Sequence, residues 1–321
     1  MNVLNEIEKQ IESIKKIDNS QYLDSILVHI RRAEFYYNQG KNDDYFFNDV
    51  IYRSNQAYEG ALKESYKVLA DKNQEEVSRK TPNDIEKYFE SNDVFRERVL
   101  QLFKNYRQEW RNKSTHDYKL FFDNNEAFIA LMSVTSFVHL LLNQIQEKLA
   151  YNEQQKTIEI HKEIIEKTKK IIESKTKKST TKLIELINDF SKLNGESIFE
   201  KGNDIKEFEI IGLFHAFITS IDKNIEIQRE PKISIGRQSI RPDFIIKVDN
   251  DPIIVEFKRL KARGSIEKNI FNQVLIYMQA TNITKGIIYF ARFNSSEPNL
   301  EVKEELIELN NIQYQITMIS T

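Results

Sequence analysis

The chain has 321 residues, 40% of them hydrophobic and 30% charged, with only 8 Gly and 5 Pro. That length allows two ordinary domains, and the balance excludes a disordered or collagen-like chain. Zero cysteines exclude a disulfide framework and thiolate chemistry, and a net charge of −2 excludes a uniformly basic nucleic-acid-coating protein. An enzyme that confines positive charge to one cleft remains compatible.

The opening segment MNVLNEIEKQ carries no signal-peptide pattern, and no apolar run reads as long enough for a membrane span, so a cytoplasmic protein is expected. Leu4, Ile7, Ile11 and Ile14 recur at steps of three and four, which predicts an amphipathic helix. Helical patterns continue over Tyr22–Gln39, Tyr45–Ala70 and Asp93–Arg111. After the polar break RNKSTHDY, Glu126–Ala150 reads as a helix too apolar for a surface, and is expected at the centre of a bundle.

Residues 151–178 hold eight Lys and five Glu, with Ile158, Ile164/Ile165 and Ile171/Ile172 recurring every seven residues. A charged helix is expected there, acting as a solvated linker, a rigid spacer or a short dimeric coiled coil. From Thr181 the texture changes. Helical Lys182–Lys192 and Ile205–Ile221 lead to strand-like IEIQREPKISI, RPDFIIKV and DPIIVEFKRL, a helix Ser265–Thr281, then KGIIYFAR and IQYQITMI. Strands mixed with helices after an all-helical half predict a separate α/β domain.

Asp243 heads the strand FIIKV, and a turn at Asn250–Pro252 leads to IIVEFKRL with Glu256 and Lys258. Residues two apart on a strand share a face, so Glu256 and Lys258 project together, and the hairpin carries Asp243 towards them. Two converging carboxylates suit a hard divalent cation, Mg2+ or Mn2+, and the lysine suits a water or a phosphoryl group beside it. Charges inside an otherwise buried strand are costly unless paired, which sets this trio apart from solvent-facing charge. Arg241, Arg259, Lys261 and Arg263 flank it and are candidate phosphate contacts.

Pro242-Asp243, twelve residues, then Glu256-Phe257-Lys258 resembles the core of the PD-(D/E)xK nuclease superfamily. Gln273 and Tyr277 resemble the Gln-x-x-x-Tyr helix motif of its RecB-like members; at i and i+4 they share one helical face. The resemblance also implies a helix glutamate before the first core strand. Glu207 and Glu209 compete for that place, and Glu207 is preferred because it lies in line with Ile210, Ile211, Phe214 and Phe217. His215, on the same helix, reads as a packing or capping histidine.

Arg111-Asn112-Lys113-Ser114-Thr115-His116 lies between two long helical segments. A histidine there can shuttle a proton of an RNA phosphodiester while the arginine binds the phosphate, with no metal; ordinary helix capping by Ser114 or Thr115 is the competing reading. The Arg-x4–6-His spacing at a helix junction resembles the HEPN family. Glu59 is similar to the acidic residue that faces the motif in that family, and the resemblance implies a homodimer with a composite RNase cleft. His29, His139 and His161 lack partners at ligand spacing, and Trp110 and Tyr106 read as core anchors.

The expected architecture is α plus α/β: a HEPN-like helical domain over 1–150, a charged linker helix over 151–180, and a restriction-endonuclease-like mixed sheet flanked by helices over 181–321. The expected activity is metal-dependent hydrolysis of DNA or RNA, of the kind found in prokaryotic defence or toxin effectors, with catalytic Asp243, Glu256, Lys258, Glu207, Gln273 and Tyr277 and metal ligands Asp243 and Glu256. A second, metal-independent RNase site is expected at Arg111 and His116. The alternatives are that one centre acts while the other domain dimerises or senses, or that the protein binds nucleic acid without cutting it.

Overall fold

The computed structural model describes residues 3–18, 20–92, 94–112, 121–202, 204–221, 225–236, 238–259, 266–291 and 299–321. The chain divides into two compact units, Met1–Leu149 and Ala150–Thr321.

In the first unit the apolar stripes become packed helices. Helix α1 (Val3–Lys15) turns Ile7, Ile11 and Ile14 inward. Helix α2 (Gln21–Gln39) starts at Ser20, whose hydroxyl accepts from the Tyr22 amide, and packs along α3 (Phe46–Leu69). Two short helices, α4 (Gln74–Arg79) and α5 (Pro82–Ser91), were not anticipated; each opens on a reciprocal capping box, Asn73 with Glu76 and Thr81 with Asp84. Helix α6 (Glu97–Tyr106) begins later than the expected Asp93 and runs into a π-helical turn, Arg107–Arg111. At the centre of the bundle the Tyr58 ring stacks on Phe103 and Tyr106, and Phe137 packs against Tyr58 and Phe103 at a tilt.

Helix α7 (Asn124–Ile160) is longer than expected and corrects one reading. It contains an 18-residue window of mean hydropathy 1.6, so by length and composition it passes for a membrane span. Half of that window is buried inside the protein, with Val134, Phe137, Val138, Leu141 and Ile145 in the core of the bundle. The division between the units falls within this helix, at Leu149 and Ala150.

The linker is the second correction. The helix breaks at His161, and α8 (Lys162–Glu173) buries Ile165, Thr168 and Ile172 in the core of the second unit. Thr168 also donates to the buried Asp189 at 2.8 Å. The seven-residue seam therefore closes onto its own unit and is neither a free spacer nor a coiled-coil face. Each such buried isoleucine stabilises by roughly 1.5–3 kcal/mol.

Helices α9 (Ser179–Lys201) and α10 (Glu207–Ile221) follow. The strands are β1 (Glu226–Arg229), β2 (Ile233–Ile235), β3 (Gln238–Ile240), β4 (Phe244–Val248), β5 (Asp251–Lys258), β6 (Lys285–Phe290), β7 (Glu301–Leu309) and β8 (Ile312–Ser320), with α11 (Ile266–Thr281) between β5 and β6. Six of them form one mixed sheet in the order β1-β4-β5-β6-β8-β7; β2 and β3 form a separate hairpin. Strands β5, β6 and β8 are parallel, whereas β4 and β5 are joined by the two-residue turn Asp249–Asn250. Both turn residues have positive φ, as a tight hairpin of this kind requires. The turn thus sits one residue before the expected Asn250–Pro252.

Alternation along the strands gives the sheet two buried faces. Phe244, Ile246, Val248, Val255 and Phe257 pack with Leu186, Phe190, Phe214 and Phe217 of α9 and α10. Ile245, Ile254, Ile288 and Ile316 pack with Ile270, Val274 and Met278 of α11. Helix α11 approaches β6 so closely that a Cβ on Gly286 would lie 2.9 Å from both Val274 and Met278, which is why glycine stands there. Strand β7, unpredicted, is an edge strand whose outward Glu301, Lys303 and Glu304 discourage further pairing. The fold class is therefore a helical unit followed by a helix-flanked six-stranded mixed sheet.

Candidate active site

The β4–β5 register places Phe244 opposite Val255, so the next pair outward is Asp243 opposite Glu256. Both fall on the α11 face, one position beyond Ile245 and Ile254 in the alternation. The backbone locks the pair. The Asp243 amide donates to Glu256 Oε2 at 3.1 Å, and the Phe257 amide donates to Asp243 Oδ2 at 2.7 Å. Glu256 is only 2% exposed, a carboxylate on a central strand.

Lys258, two residues along the same face, brings its ammonium 3.0 Å from Glu256 Oε1 and 3.1 Å from Glu207 Oε1. Glu207 is fixed in turn: its other oxygen accepts from the Arg259 amide at 2.8 Å. Glu209 has a different task, as its buried carboxylate caps the Lys206 amide at the start of α10. The structure thus brings Glu207, and not Glu209, to the trio.

The electrostatics follow from this crowding. Burial raises the Asp243 carboxyl well above its ordinary range, and the neighbouring Glu256 charge pushes it further; Lys258 opposes both. Burial also raises Glu256, again against Lys258. Burial alone would lower the Lys258 ammonium, but the charges of Asp243, Glu256 and Glu207 together hold it above its ordinary value. Three carboxyl groups thus share one ammonium, and ionising all three would leave excess negative charge in a low-dielectric setting, which is why Asp243 is raised.

Gln273 and Tyr277 point to the same place. Their side chains are hydrogen-bonded, Gln273 Nε2 donating to Tyr277 Oη. Burial raises the Tyr277 phenol, and the fields of Glu256 and Asp243 add to that. Beside them lies a cavity of about 340 Å³ lined by Ile240, Asn269, Asn272 and Ile276. Asn269 and Asn272 escaped the sequence reading; their signal is their position on the helical face that also presents Gln273 and Ile276.

The basic flank behaves differently from expectation. Arg259 is spent on the fold: it donates to the Ala291 carbonyl at 2.8 Å and the Gly202 carbonyl at 3.0 Å, so it is no free phosphate contact. Lys261 and Arg263 lie outside the described residues. His215 packs its ring 5.3 Å from Tyr151 and 6.1 Å from Phe244, as a packing histidine should.

The donor set fits a hard divalent cation, since oxygen ligands in excess of local positive charge are what such ions bind. Asp243 and Glu256 supply the converging pair. Among the described residues no three His, Cys, Asp or Glu groups form a ready-made metal cage; Glu207 and Glu256 are held by the Lys258 ammonium instead.

In the first unit, Arg111 ends the π-helical turn, a backbone feature that often accompanies functional positions. Its Nε lies 3.8 Å from Glu86 Oε1, and its Nη1 donates to Asn112 Oδ1 at 3.0 Å. Glu86 is 2% exposed and also accepts from the Tyr58 hydroxyl at 3.3 Å. Burial raises the Glu59 carboxyl, and Arg111 is the strongest opposing charge. Arg107, on the preceding turn, pairs with Glu90 at 2.6 Å. His116, with Lys113, Ser114 and Thr115, lies outside the described residues. Glu86 was missed because α5 was missed, although the capping box at Thr81 and Asp84 marks that helix. Tyr106 is fully buried and donates to Asn55, and Trp110 packs on Phe122, both as core anchors. His139 is part-buried and bonded to Gln10, and His29 sits 3.4 Å from Arg53.

Residues 157–295 are similar to a family described as a domain of unknown function (DUF8371). That stretch takes in the carboxylate–lysine site and the Gln273–Tyr277 pair but not the Arg111 cluster. No curated protein and no solved structure matches the chain.

Proposed function

We propose that the second unit is a metal-dependent phosphodiesterase acting on DNA or RNA, a nuclease of PD-(D/E)xK type. One observation carries this reading: the half-buried Asp243 and the buried Glu256 are cross-strand neighbours that repel each other beside a lysine that cannot neutralise them both. A structural ion pair needs no second acid, and an inert buried pair is destabilising without return.

Asp243 and Glu256 would hold the cation, Mg2+ or Mn2+, which supplies Lewis acidity at the scissile phosphate. Lys258 stays protonated while three carboxylates surround it, so its task is to donate to a phosphoryl oxygen and stabilise the charge developing there, rather than to remove a proton. Glu207 positions that ammonium from α10. Gln273 orients the Tyr277 hydroxyl, and the neighbouring Asn269 and Asn272 offer neutral donors to the backbone of a bound strand.

A second centre in the first unit, HEPN-like and metal-independent, is favoured by the Arg111 cluster. Glu86 pairs with the guanidinium, whose charge also reaches Glu59 on a neighbouring helix, and from there the arginine can bind a phosphate for a histidine acting on RNA. Such a centre would be shared by two copies of the chain. The test for both is cleavage of separate DNA and RNA substrates with Mg2+, Mn2+ or EDTA. Lys258→Ala should abolish the metal-dependent cut, and His116→Ala any RNA cut that survives EDTA. Full-rate cleavage by Lys258→Ala overturns the first reading, and EDTA-resistant RNA cleavage that persists in His116→Ala overturns the second.

A further inference from the structure

A second cavity of the sheet-bearing unit lies at the opposite end of the β4–β5 hairpin from the carboxylates. Six strand positions separate Asp243 from the turn residue Asp249, on the order of 20 Å. The cavity measures about 580 Å³, within the size range of small-ligand sites. Its walls come from the end of α8, from α9, from the approach to β1 and from the Asp249–Asn250 turn.

Its chemistry has two parts. Ile172, Ile225 and Val248 form an apolar floor, all three buried in the core. Above it stand Lys182, Lys175, the polar Ser174 and Asn250, and the exposed Glu173, whose carboxylate a bound phosphate must face away from. Lys182 is the unusual member: its side chain is 2% exposed, and its ammonium pairs at 2.5 Å with Asp249, whose own side chain is 53% exposed on a two-residue turn. A buried ammonium needs a partner. Here it has one that is half exposed to solvent and sits on a turn, where it can swing away without unfolding a strand. Lys175 is exposed on the rim and makes no ion pair among the described residues. Lys247, a third lysine of the wall, is held by Glu226 at 2.6 Å and is not available.

We infer that this cavity binds a phosphorylated nucleoside of mononucleotide size. The phosphate takes the place of the Asp249 carboxylate on Lys182 and is closed over by Lys175. The base lies on the Ile172, Ile225 and Val248 floor, and the displaced Asp249 with Asn250 accepts and donates at ribose hydroxyls or base edges. An all-apolar ligand would leave Lys182 with nothing gained, and a bare inorganic anion would leave the floor uncovered. The ligand does not share the carboxylate site, so the inference stands whether or not the second unit cuts nucleic acid.

The experiment is titration calorimetry of the full chain in EDTA, which removes metal-mediated phosphate binding, using ATP, AMP, adenosine and inorganic phosphate as probes. The expected result is one-to-one binding of ATP or AMP, at least ten-fold tighter than either adenosine or inorganic phosphate. Lys175→Glu, an exposed position, should weaken it ten-fold or more, as should Lys182→Met. Lys175→Glu carries the decision if Lys182→Met unfolds on heating. Glu256→Ala should bind as the wild type does. Absence of binding at millimolar nucleotide, unchanged affinity in Lys175→Glu, loss of binding in Glu256→Ala, or equal affinity for inorganic phosphate each overturns the inference.

Discussion

The two units treat buried charge in opposite ways. Around Arg111 the charges pair one to one, Arg111 with Glu86 and Arg107 with Glu90, so these pairs are balanced and self-supporting. Around Glu256, three carboxylates share one ammonium. The first arrangement explains itself as structure and leaves function to be shown. The second makes little sense as structure, because burial and repulsion both raise Asp243 and stability is lost by it. The contrast teaches where to look: an unbalanced buried charge is better evidence of chemistry than a balanced one.

Four perturbations sharpen that contrast, ordered by their expected effect on the fold and then on the site. Phe257, between Glu256 and Lys258, turns to the other face and packs against Phe214, Phe244 and Tyr289. Phe257→Ala should therefore destabilise the second unit by about 3–5 kcal/mol, read by denaturant unfolding, and take the site with it. Glu207→Gln keeps a weaker hold on Lys258, and metal-dependent cleavage should fall roughly ten-fold with the fold intact. Equal rates in that variant would remove Glu207 from the site.

Asp243→Asn should inactivate and yet stabilise, raising Tm by roughly 2–4 °C near neutral pH. The sign follows from the raised carboxyl. Stability contributed by its protonated form is fully present below the ordinary aspartate range and is lost as pH rises through the elevated folded value. The variant's advantage should thus vanish in acid and grow as pH rises; a constant offset across pH would contradict the repulsion. Arg111→Ala, by comparison, should leave metal-dependent cleavage within about two-fold, since it touches only the balanced cluster. A large loss there would couple the two centres.

Much of the site was legible because strand geometry is short-range. Asp243, Glu256 and Lys258 follow from alternation and one hairpin, and the structure places all three on one face. The Gln273–Tyr277 pair follows equally from helical spacing. The stripe of Ile210, Ile211, Phe214 and Phe217 favours Glu207 over Glu209; what separates the two in the structure is that Glu209 caps its own helix while Glu207 reaches Lys258 and the Arg259 amide. The 151–180 segment went wrong because a seven-residue seam specifies a partner face and not whose face it is; Ile165 and Ile172 found theirs within the unit. Arg259 looked like a phosphate ligand because sequence cannot show the two carbonyls it holds. Helix α5, and Glu86 with it, was missed because ten residues give little periodicity, although its capping box marks the start.

The most direct test of the account is nucleic-acid cleavage by the wild type and Glu256→Ala across a Mg2+ titration. The account predicts a metal-dependent cut by the wild type that EDTA stops and that Glu256→Ala reduces at least about 100-fold at every Mg2+ concentration. Cleavage at the same rate in EDTA, or by Glu256→Ala, would contradict it.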